Sequence, residues 1–246
     1  MLEKILKKYE KNIIGIIQVG ANVGQELKLL SSFEKNIYLF EPIKNIYQKL
    51  EQESKKYKNV FTFNIALGDI NTTKSMYISK NNDSASSSIL EPSLHLKYFP
   101  EVKFKKEEEV NVKRFDSYTE VFIANFLILD VQGYELNVIR GFGEEISKIS
   151  YIFTEFSLEK LYKNSVVLKD LDLFLKNLGF LRIMTKTASN KPQGDALYVK
   201  RKTINLIAFM YYIAKSKFQT GKFYLFFNFL FDFKKVKFVI KNKLKF

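Results

Sequence analysis

The chain has 246 residues, a formal net charge of +14 at pH 7, no cysteine and an apolar content of 46%. This length suffices for one full-sized hydrophobic core with an extension, and the apolar content excludes a disordered chain. The lack of cysteine excludes disulfides, thiolate metal sites and a cysteine nucleophile. The N-terminal segment lacks the apolar core of a signal peptide, so a cytoplasmic location is expected.

Short β-rich runs alternate with amphipathic helical patterns along the first two thirds of the chain. The alternation predicts an α/β fold with a doubly wound, mostly parallel, Rossmann-like sheet of seven strands. Several runs are continuously apolar, as strands covered on both faces require. The predicted strands span residues 13–19, 36–40, 60–65, 124–130, 150–156, 180–185 and 196–200. The predicted helices span residues 23–31, 44–56, 135–142 and 167–178.

The first predicted strand runs into a glycine-containing turn. Gly20, Ala21, Asn22 and Gly24 lie in this turn, and a helical pattern follows. Glycines let a ligand approach the backbone, and the unpaired N–H groups of a helix N-terminus suit a carboxylate or a phosphate. The spacing G-x-x-x-G differs from the G-x-G-x-x-G pattern that holds a dinucleotide pyrophosphate, which disfavours a nicotinamide cofactor. An ordinary tight turn is the alternative.

The second predicted strand ends in Glu41, and Pro42 follows. A carboxylate at the C-terminal end of a strand can accept hydrogen bonds from ribose hydroxyls. Together with the glycine turn, it indicates a site for an adenosyl compound with a carboxylate and no phosphate, which matches S-adenosylmethionine. Ala66 and Leu67, after the third strand, are expected beside the adenine, although both equally suit the core.

The segment 71–114 interrupts the alternation and is interpreted as an insertion near the mouth of the site. Two further strands are expected within it, at 75–79 and 109–112. Hydroxyls near such a mouth can bind a polyhydroxylated ligand, so Ser86 and Ser87 are candidate substrate contacts; a flexible loop is the alternative. His95, the only histidine, is a third candidate if its loop moves over the substrate; an ordinary surface residue is the alternative. No metal-ligand spacing surrounds His95, so no metal site is predicted.

Two acids follow neighbouring strands of the predicted sheet. Asp130 ends the fourth strand and Glu155 lies near the end of the fifth. A hydroxyl becomes a good methyl acceptor when a positioned base removes its proton, and burial can raise the pKa of a carboxyl for that task. Asp130 is the leading candidate base, with Glu155 as its partner. A helix cap is the alternative for Asp130.

The order of these motifs resembles the FkbM-type methyltransferases, a class I S-adenosylmethionine-dependent family associated mainly with O-methylation of sugars and natural products. The motifs are QVGANVG at 18–24, FEP at 40–42, ALGD at 66–69, SASSSI at 84–89, LDVQGYELNVIRG at 129–141, TEF at 154–156, LGF at 178–180 and GDALYV at 194–199. The resemblance implies that the glycine turn contacts the methionine end of the cofactor and Glu41 its ribose. It also implies that the segment with Gln132 lies at the reacting groups, and that a sugar hydroxyl of a surface polysaccharide or glycolipid is the acceptor. Gln18 and Gln132 depart from the pattern, which more usually has an acid at the first position and often at the second.

A boundary near Arg201 is predicted to separate a methyltransferase domain at 1–202 from an extension at 203–246. The extension is rich in aromatic residues and lysine, and Asp232 is its only acid. Its two apolar runs are each too short to span a bilayer. They predict a basic, aromatic helical segment at an anionic membrane surface, where lipid-linked glycans are assembled. Packing on the core, or on a second subunit in a homo-oligomer, is the alternative.

Two other functions compete with methylation of a sugar. The basic charge is compatible with a nucleic-acid methyltransferase, but the chain has no N/D-P-P-Y/F motif and no cysteine to attack a pyrimidine. Nucleic acid is therefore not the expected partner. The glutamines at Gln18 and Gln132 are also compatible with a non-catalytic module that only binds the cofactor.

Overall fold

The structure is a computed structural model that describes residues 1–80 and 82–204. Its helices are α1 (Leu2–Tyr9), α2 (Leu27–Ser31), α3 (Lys44–Ser54), α4 (His95–Tyr98), α5 (Glu135–Gly141) and α6 (Leu168–Asn177). Its strands are β1 (Gly15–Val19), β2 (Asn36–Phe40), β3 (Val60–Phe63), β4 (Ala66–Leu67), β5 (Thr72–Ser79), β6 (Phe104–Lys113), β7 (Phe126–Leu129), β8 (Tyr151–Ser157), β9 (Phe180–Thr187) and β10 (Gln193–Lys200).

Seven strands form one sheet in the order β3-β2-β1-β7-β8-β10-β9. The pairs from β3 to β8 are parallel, and β10 runs antiparallel to both of its neighbours. The predicted α/β fold with a mostly parallel seven-stranded sheet is confirmed. The strand order reverses between β1 and β7, and ligands of such sheets bind outside the carboxyl ends of the strands at this point.

The core lies on the faces of the central strands. All five residues of β1 and all four of β7 are buried, as expected for strands covered on both sides. Phe115 stacks on Phe142 with 4.1 Å between ring centroids, and both rings are buried. Each large apolar side chain buried in this way contributes about 1.5–3 kcal/mol to folding. The rigid centre of the sheet therefore fixes the ends of β1, β2 and β7.

Two strands of the insertion, β5 and β6, join β4 in a second sheet of three strands with the order β4-β6-β5. The two strands expected at 75–79 and 109–112 lie within the longer β5 and β6. Met76 and Ile78 of β5 pack with Ile43 and Ala66, next to the main sheet. The insertion thus supplies an apolar wall beside the ends of β2 and β3.

The helix expected at 23–31 begins only at Leu27. Asn22 and Gly24 have φ angles of 49° and 85°, which a right-handed helix does not accept. The third strand ends at Phe63 instead of residue 65, because Ala66 and Leu67 pair with β6 in the second sheet.

The extension predicted at 203–246 lies, from residue 205 onward, outside the described residues. Within the described ranges, no helix is both long and apolar enough to cross a membrane.

Candidate cofactor and acceptor site

A cavity of about 250 Å³ opens at the carboxyl ends of β1, β2 and β7. Nine residues that the sequence nominated line it: Gly20, Asn22, Glu41, Pro42, Ala66, Leu67, Ser87, Asp130 and Gln132. Five nominated residues do not line it: Ala21, Gly24, Ser86, His95 and Glu155. Eleven lining residues were not nominated from the sequence: Gln18, Val19, Gln25, Glu26, Ile43, Met76, Ser84, Ala85, Ile89, Val131 and Tyr134.

Gly20 lies where the backbones of β1 and β7 approach each other. Its φ angle is 79°, and a Cβ atom on it would lie 1.9 Å from the carbonyl oxygen of Asp130. Only glycine satisfies both conditions without a shift of the backbone. The close approach brings the end of β7 to the mouth of the glycine turn.

The N–H groups of the turn are used inside the protein. Gly20 and Ala21 both donate to the carbonyl of Phe40, at 3.0 and 3.1 Å, and Gly24 donates to the carbonyl of Ala21. Asn22 N–H donates to Glu41. The N–H groups of these four residues are therefore already paired, and the helix N-terminus expected at residue 23 lies at Leu27 instead.

Glu41 is buried at the end of β2. Its Oε2 accepts from the N–H of Asn22 at 3.0 Å, and its Oε1 accepts from the N–H of Ile43 at 2.8 Å. Burial raises the pKa of the Glu41 carboxyl to about 7, although both hydrogen bonds act in the opposite direction. Each carboxylate oxygen can accept a second hydrogen bond. Glu41 can therefore receive the hydroxyls of a ribose in the cavity.

The wall next to Glu41 is apolar. Ala66 and Leu67 are buried and come from β4, while Met76 comes from β5 of the insertion. Ile43 and Ile89 complete this wall. A flat, uncharged ring such as adenine fits such a surface, and a methionine sulfur next to it offers a favourable contact with an aromatic ring.

Asp130 and Glu155 are joined by one amide. The Nε2 atom of Gln132 donates to Asp130 at 2.8 Å and to Glu155 at 2.9 Å. Glu155 also accepts from Gln193 Nε2 at 2.8 Å and faces a second, much smaller cavity. Only Asp130 of this pair faces the main cavity. Tyr134 is the N-cap residue of α5, so the alternative of Asp130 as its N-cap does not apply.

Both carboxyls hold a proton more strongly than an ordinary acidic side chain. Asp130 is accessible from the cavity but enclosed by protein, which raises its pKa to about 6. Burial and the neighbouring charge of Asp130 raise the pKa of Glu155 well above its usual value. Two interacting carboxyls share their protons as a pair, so each makes ionisation of the other less favourable.

The serine run is an ordered part of the site. Ser87 lines the cavity, but its Oγ accepts from the N–H of Ser79 at 2.9 Å. The carbonyl of Ser86 lies 2.9 Å from the hydroxyl of Tyr162, which also lies 3.0 Å from Gln132 Oε1. These hydrogen bonds hold the serine run in place, in contrast to the alternative of a flexible loop. They link this segment to the amide between the two acids.

His95 does not lie in a mobile loop. It begins the short helix α4 and is 2% exposed, and its ring stacks on Phe99 with 4.6 Å between centroids. Tyr162 separates it from the site, with 5.2 Å between the two rings. The expected loop position is wrong because aromatic residues distant in sequence enclose this histidine.

Comparison with known proteins gives consistent matches. The family model of the FkbM methyltransferase domain matches residues 18–182. The 2-O-methyltransferase NoeI of Sinorhizobium fredii is 25% identical over 176 residues, which are 68% of this chain and 72% of that protein.

Two solved structures with bound S-adenosylmethionine are also similar. The magnesium protoporphyrin IX methyltransferase of Synechocystis is 10% identical with a TM-score of 0.46, over 81% of this chain and 79% of that chain. Fibrillarin of Aeropyrum pernix is 14% identical with a TM-score of 0.45, over 75% of this chain and 65% of that chain.

The family match runs from β1 into β9 and so includes every strand end at the cavity. The protein is an S-adenosylmethionine-dependent methyltransferase. It belongs to the FkbM methyltransferase family. The cavity fits the cofactor, because a buried acid for the ribose lies next to an apolar wall for the base.

Proposed function

We propose that the protein transfers a methyl group to a hydroxyl of a sugar, in a surface polysaccharide or a glycolipid. The relative named as a 2-O-methyltransferase supports transfer to oxygen. The sugar is proposed from the resemblance to the FkbM family. In this proposal the protein works in the cytoplasm, on a carbohydrate or a lipid-linked glycan.

The observation that carries the proposal is the position of Asp130. Its carboxylate faces the same cavity as Gly20 and Glu41. A pKa of about 6 leaves it mostly ionised at pH 7 while keeping it more basic than an ordinary aspartate. Such a group is suited to general-base catalysis, since the ideal catalytic pKa lies near the operating pH.

In the proposed methyl transfer, Asp130 is the proton acceptor. When bound, S-adenosylmethionine supplies the methyl group and leaves as a thioether. Asp130 receives the proton of the acceptor hydroxyl as the new oxygen–carbon bond forms. Gln132 holds Asp130 in place through the hydrogen bond from Nε2. The same amide donates to Glu155, whose proximity helps to raise the pKa of the pair.

The acceptor is proposed to enter beside Gln132 and the serine run. Ser84, Ala85 and Ser87 line the cavity opposite the end of β7. The backbone of the run is fixed to β5 by the pair of hydrogen bonds between Tyr77 and Ser88. Because the serine run is already fixed next to Asp130, it can orient the acceptor hydroxyl without first losing conformational freedom.

The proposal is tested by mass spectrometry of cell-surface glycans and lipid-linked intermediates from cells with and without the protein. The expected result is a shift of one methyl group on one glycan species. Cells that carry Asp130→Asn should lack the shift, whereas cells with Glu144→Gln, an exposed acid away from the cavity, should keep it. Identical glycans in all four strains would contradict the proposal.

The extension at 203–246 is proposed to bring the enzyme to an anionic membrane surface. This part of the proposal is supported by its many lysines and aromatic residues and by Asp232 as its only acid. Basic segments with aromatic side chains bind the interface of membranes that contain anionic lipids. Lipid-linked acceptors would then be concentrated near the cavity.

A further inference from the structure

Glu26 is a cavity carboxylate that the sequence did not nominate. It precedes α2 and lines the cavity together with Gln18, which is buried at 3% exposure. The Nε2 atom of Gln18 donates to Oε2 of Glu26 at 3.1 Å. The amide of Gln18, at the end of β1, therefore holds the carboxylate of Glu26 at the surface of the cavity.

Glu26 has no cationic partner among the described residues. The ion pairs of those residues use other acids, such as Asp83 with Lys49 and Glu91 with Lys163. Its Oε1 accepts no hydrogen bond within the described ranges, whereas Oε2 is held by Gln18. A carboxylate that is held in place, half-buried and without a counter-ion is arranged to meet a cation from a ligand.

A second carboxylate faces the same end of the cavity. Asp130 lines it too, and the charge of Glu26 contributes to the raised pKa of Asp130, so the two acids interact. A single positive charge between two carboxylates gains from both. At the other end, Glu41 and the apolar wall suit the ribose and the base. The amino-acid part of the cofactor would then point toward Glu26.

We propose that Glu26 is the residue that binds the ammonium group of S-adenosylmethionine, with Gln18 as the residue that positions it. The inference rests on the cavity being the cofactor site of the proposed function. An acid at position 18, at the end of β1, would be suited to bind the ammonium group. In this chain position 18 is a glutamine, and Glu26 in the turn before α2 takes that role.

The test compares two ligands that differ only in the ammonium group. S-adenosylhomocysteine carries it, and 4-(5′-adenosylthio)butyrate keeps the nucleoside, the thioether and the carboxylate but lacks it. Calorimetric titration of the full chain should show that the wild type prefers S-adenosylhomocysteine by about 10- to 100-fold, as expected for one charge-assisted hydrogen bond. In Glu26→Gln the preference should fall to a few-fold, with affinity for the butyrate unchanged.

The controls separate the possible roles of Glu26. Glu144→Gln should keep the wild-type preference, and Glu26→Asp should keep part of it. A Glu26→Gln variant that retains the full preference, or that loses affinity for both ligands equally, would overturn the assignment. A preference that disappears in Asp130→Asn and persists in Glu26→Gln would overturn it in favour of Asp130. If the wild type binds neither ligand, the proposed function fails, which is a different result.

Discussion

The backbone N–H of Asn22 donates to the side chain of Glu41, with 3.0 Å between N and Oε2. This bond connects the turn after β1 to the end of β2. It means that Glu41 shapes the glycine turn as well as facing the cavity. The two motifs that the sequence separates thus form one unit in the fold.

The first prediction concerns this unit. Glu41→Gln replaces one carboxylate oxygen by an NH₂ group, so the side chain can accept from only one of the N–H groups of Asn22 and Ile43. We expect a loss of affinity for S-adenosylhomocysteine of about 10- to 100-fold, since charge-assisted hydrogen bonds are lost. Calorimetric titration measures it, with Glu144→Gln as the control. Unchanged affinity in Glu41→Gln would remove Glu41 from the cofactor site.

The second prediction separates backbone strain from steric contact at Gly20. Gly20 and Gly179 have φ angles of 79° and 82°, but a Cβ atom on Gly179 would meet nothing within 4 Å. Gly179→Ala should cost about 1–2 kcal/mol in the free energy of unfolding, from the left-handed conformation alone. Gly20→Ala should cost clearly more and abolish cofactor binding. Urea unfolding checks both, and equal losses would show that the approach to Asp130 does not matter.

The third prediction concerns the pH dependence of methyl transfer. Asp130 has a pKa of about 6, and the ionised form is the base. The value of kcat/KM should therefore rise with pH from 5 to 7 and level off above it. Formation of S-adenosylhomocysteine with the acceptor found by mass spectrometry measures this profile. Asp130→Asn should lower the rate by about 10²- to 10⁴-fold and remove the rise. A flat wild-type profile would argue against Asp130 as the base.

The fourth prediction concerns stability. Burial raises the pKa of Glu135 to about 7 in the folded protein, although its Oε1 accepts from the N–H of Gly133 at 3.1 Å. The unfolded value is about 4.3. The folded state therefore binds the proton more tightly, and this contribution to stability is present below pH 4.3 and is lost as pH rises through 7. Glu41 and Asp130 act with the same sign.

For Glu135, the linkage amounts to about 2–3 kcal/mol of unfolding free energy lost between pH 5 and pH 8. Glu135→Gln has no proton to release, so its loss over the same range should be smaller by that amount. Urea unfolding at the two pH values gives the comparison. The same pH dependence in both proteins would show that Glu135 ionises normally in the fold.

The fifth prediction concerns the extension. Met1–Thr203 form one compact unit, so removal of the remaining residues should leave the methyltransferase fold intact. A chain that ends at Lys202 should lose binding to vesicles with anionic lipids and keep affinity for S-adenosylhomocysteine. Co-sedimentation with anionic and neutral vesicles tests this, and equal binding by the truncated and full-length proteins would refute the membrane role.

The parts of the site that lie at strand ends could be predicted from the sequence. Gly20, Glu41 and Asp130 each follow a short β-rich run, and parallel strands bring their carboxyl ends to one edge. The local sequence pattern was sufficient for these residues, because the parallel sheet brings the strand ends together.

The parts of the site that depend on long-range packing could not be predicted from the sequence. Met76 reaches the cavity only because β5 pairs with β6, and the enclosure of His95 depends on Phe104 and Tyr162 from distant segments. Glu26 was missed for a local reason. A helix was expected from residue 23, whereas Asn22 and Gly24 adopt left-handed conformations and leave Glu26 in the turn before α2.

A crystal structure of the protein with S-adenosylhomocysteine tests most directly whether this cavity is the cofactor site. We expect the ribose hydroxyls to lie on the carboxylate of Glu41, the adenine to lie against Ala66 and Met76, and the thioether sulfur to face Asp130. A ligand bound outside this cavity, or one bound inside it with the adenine beside Asp130, would contradict this expectation.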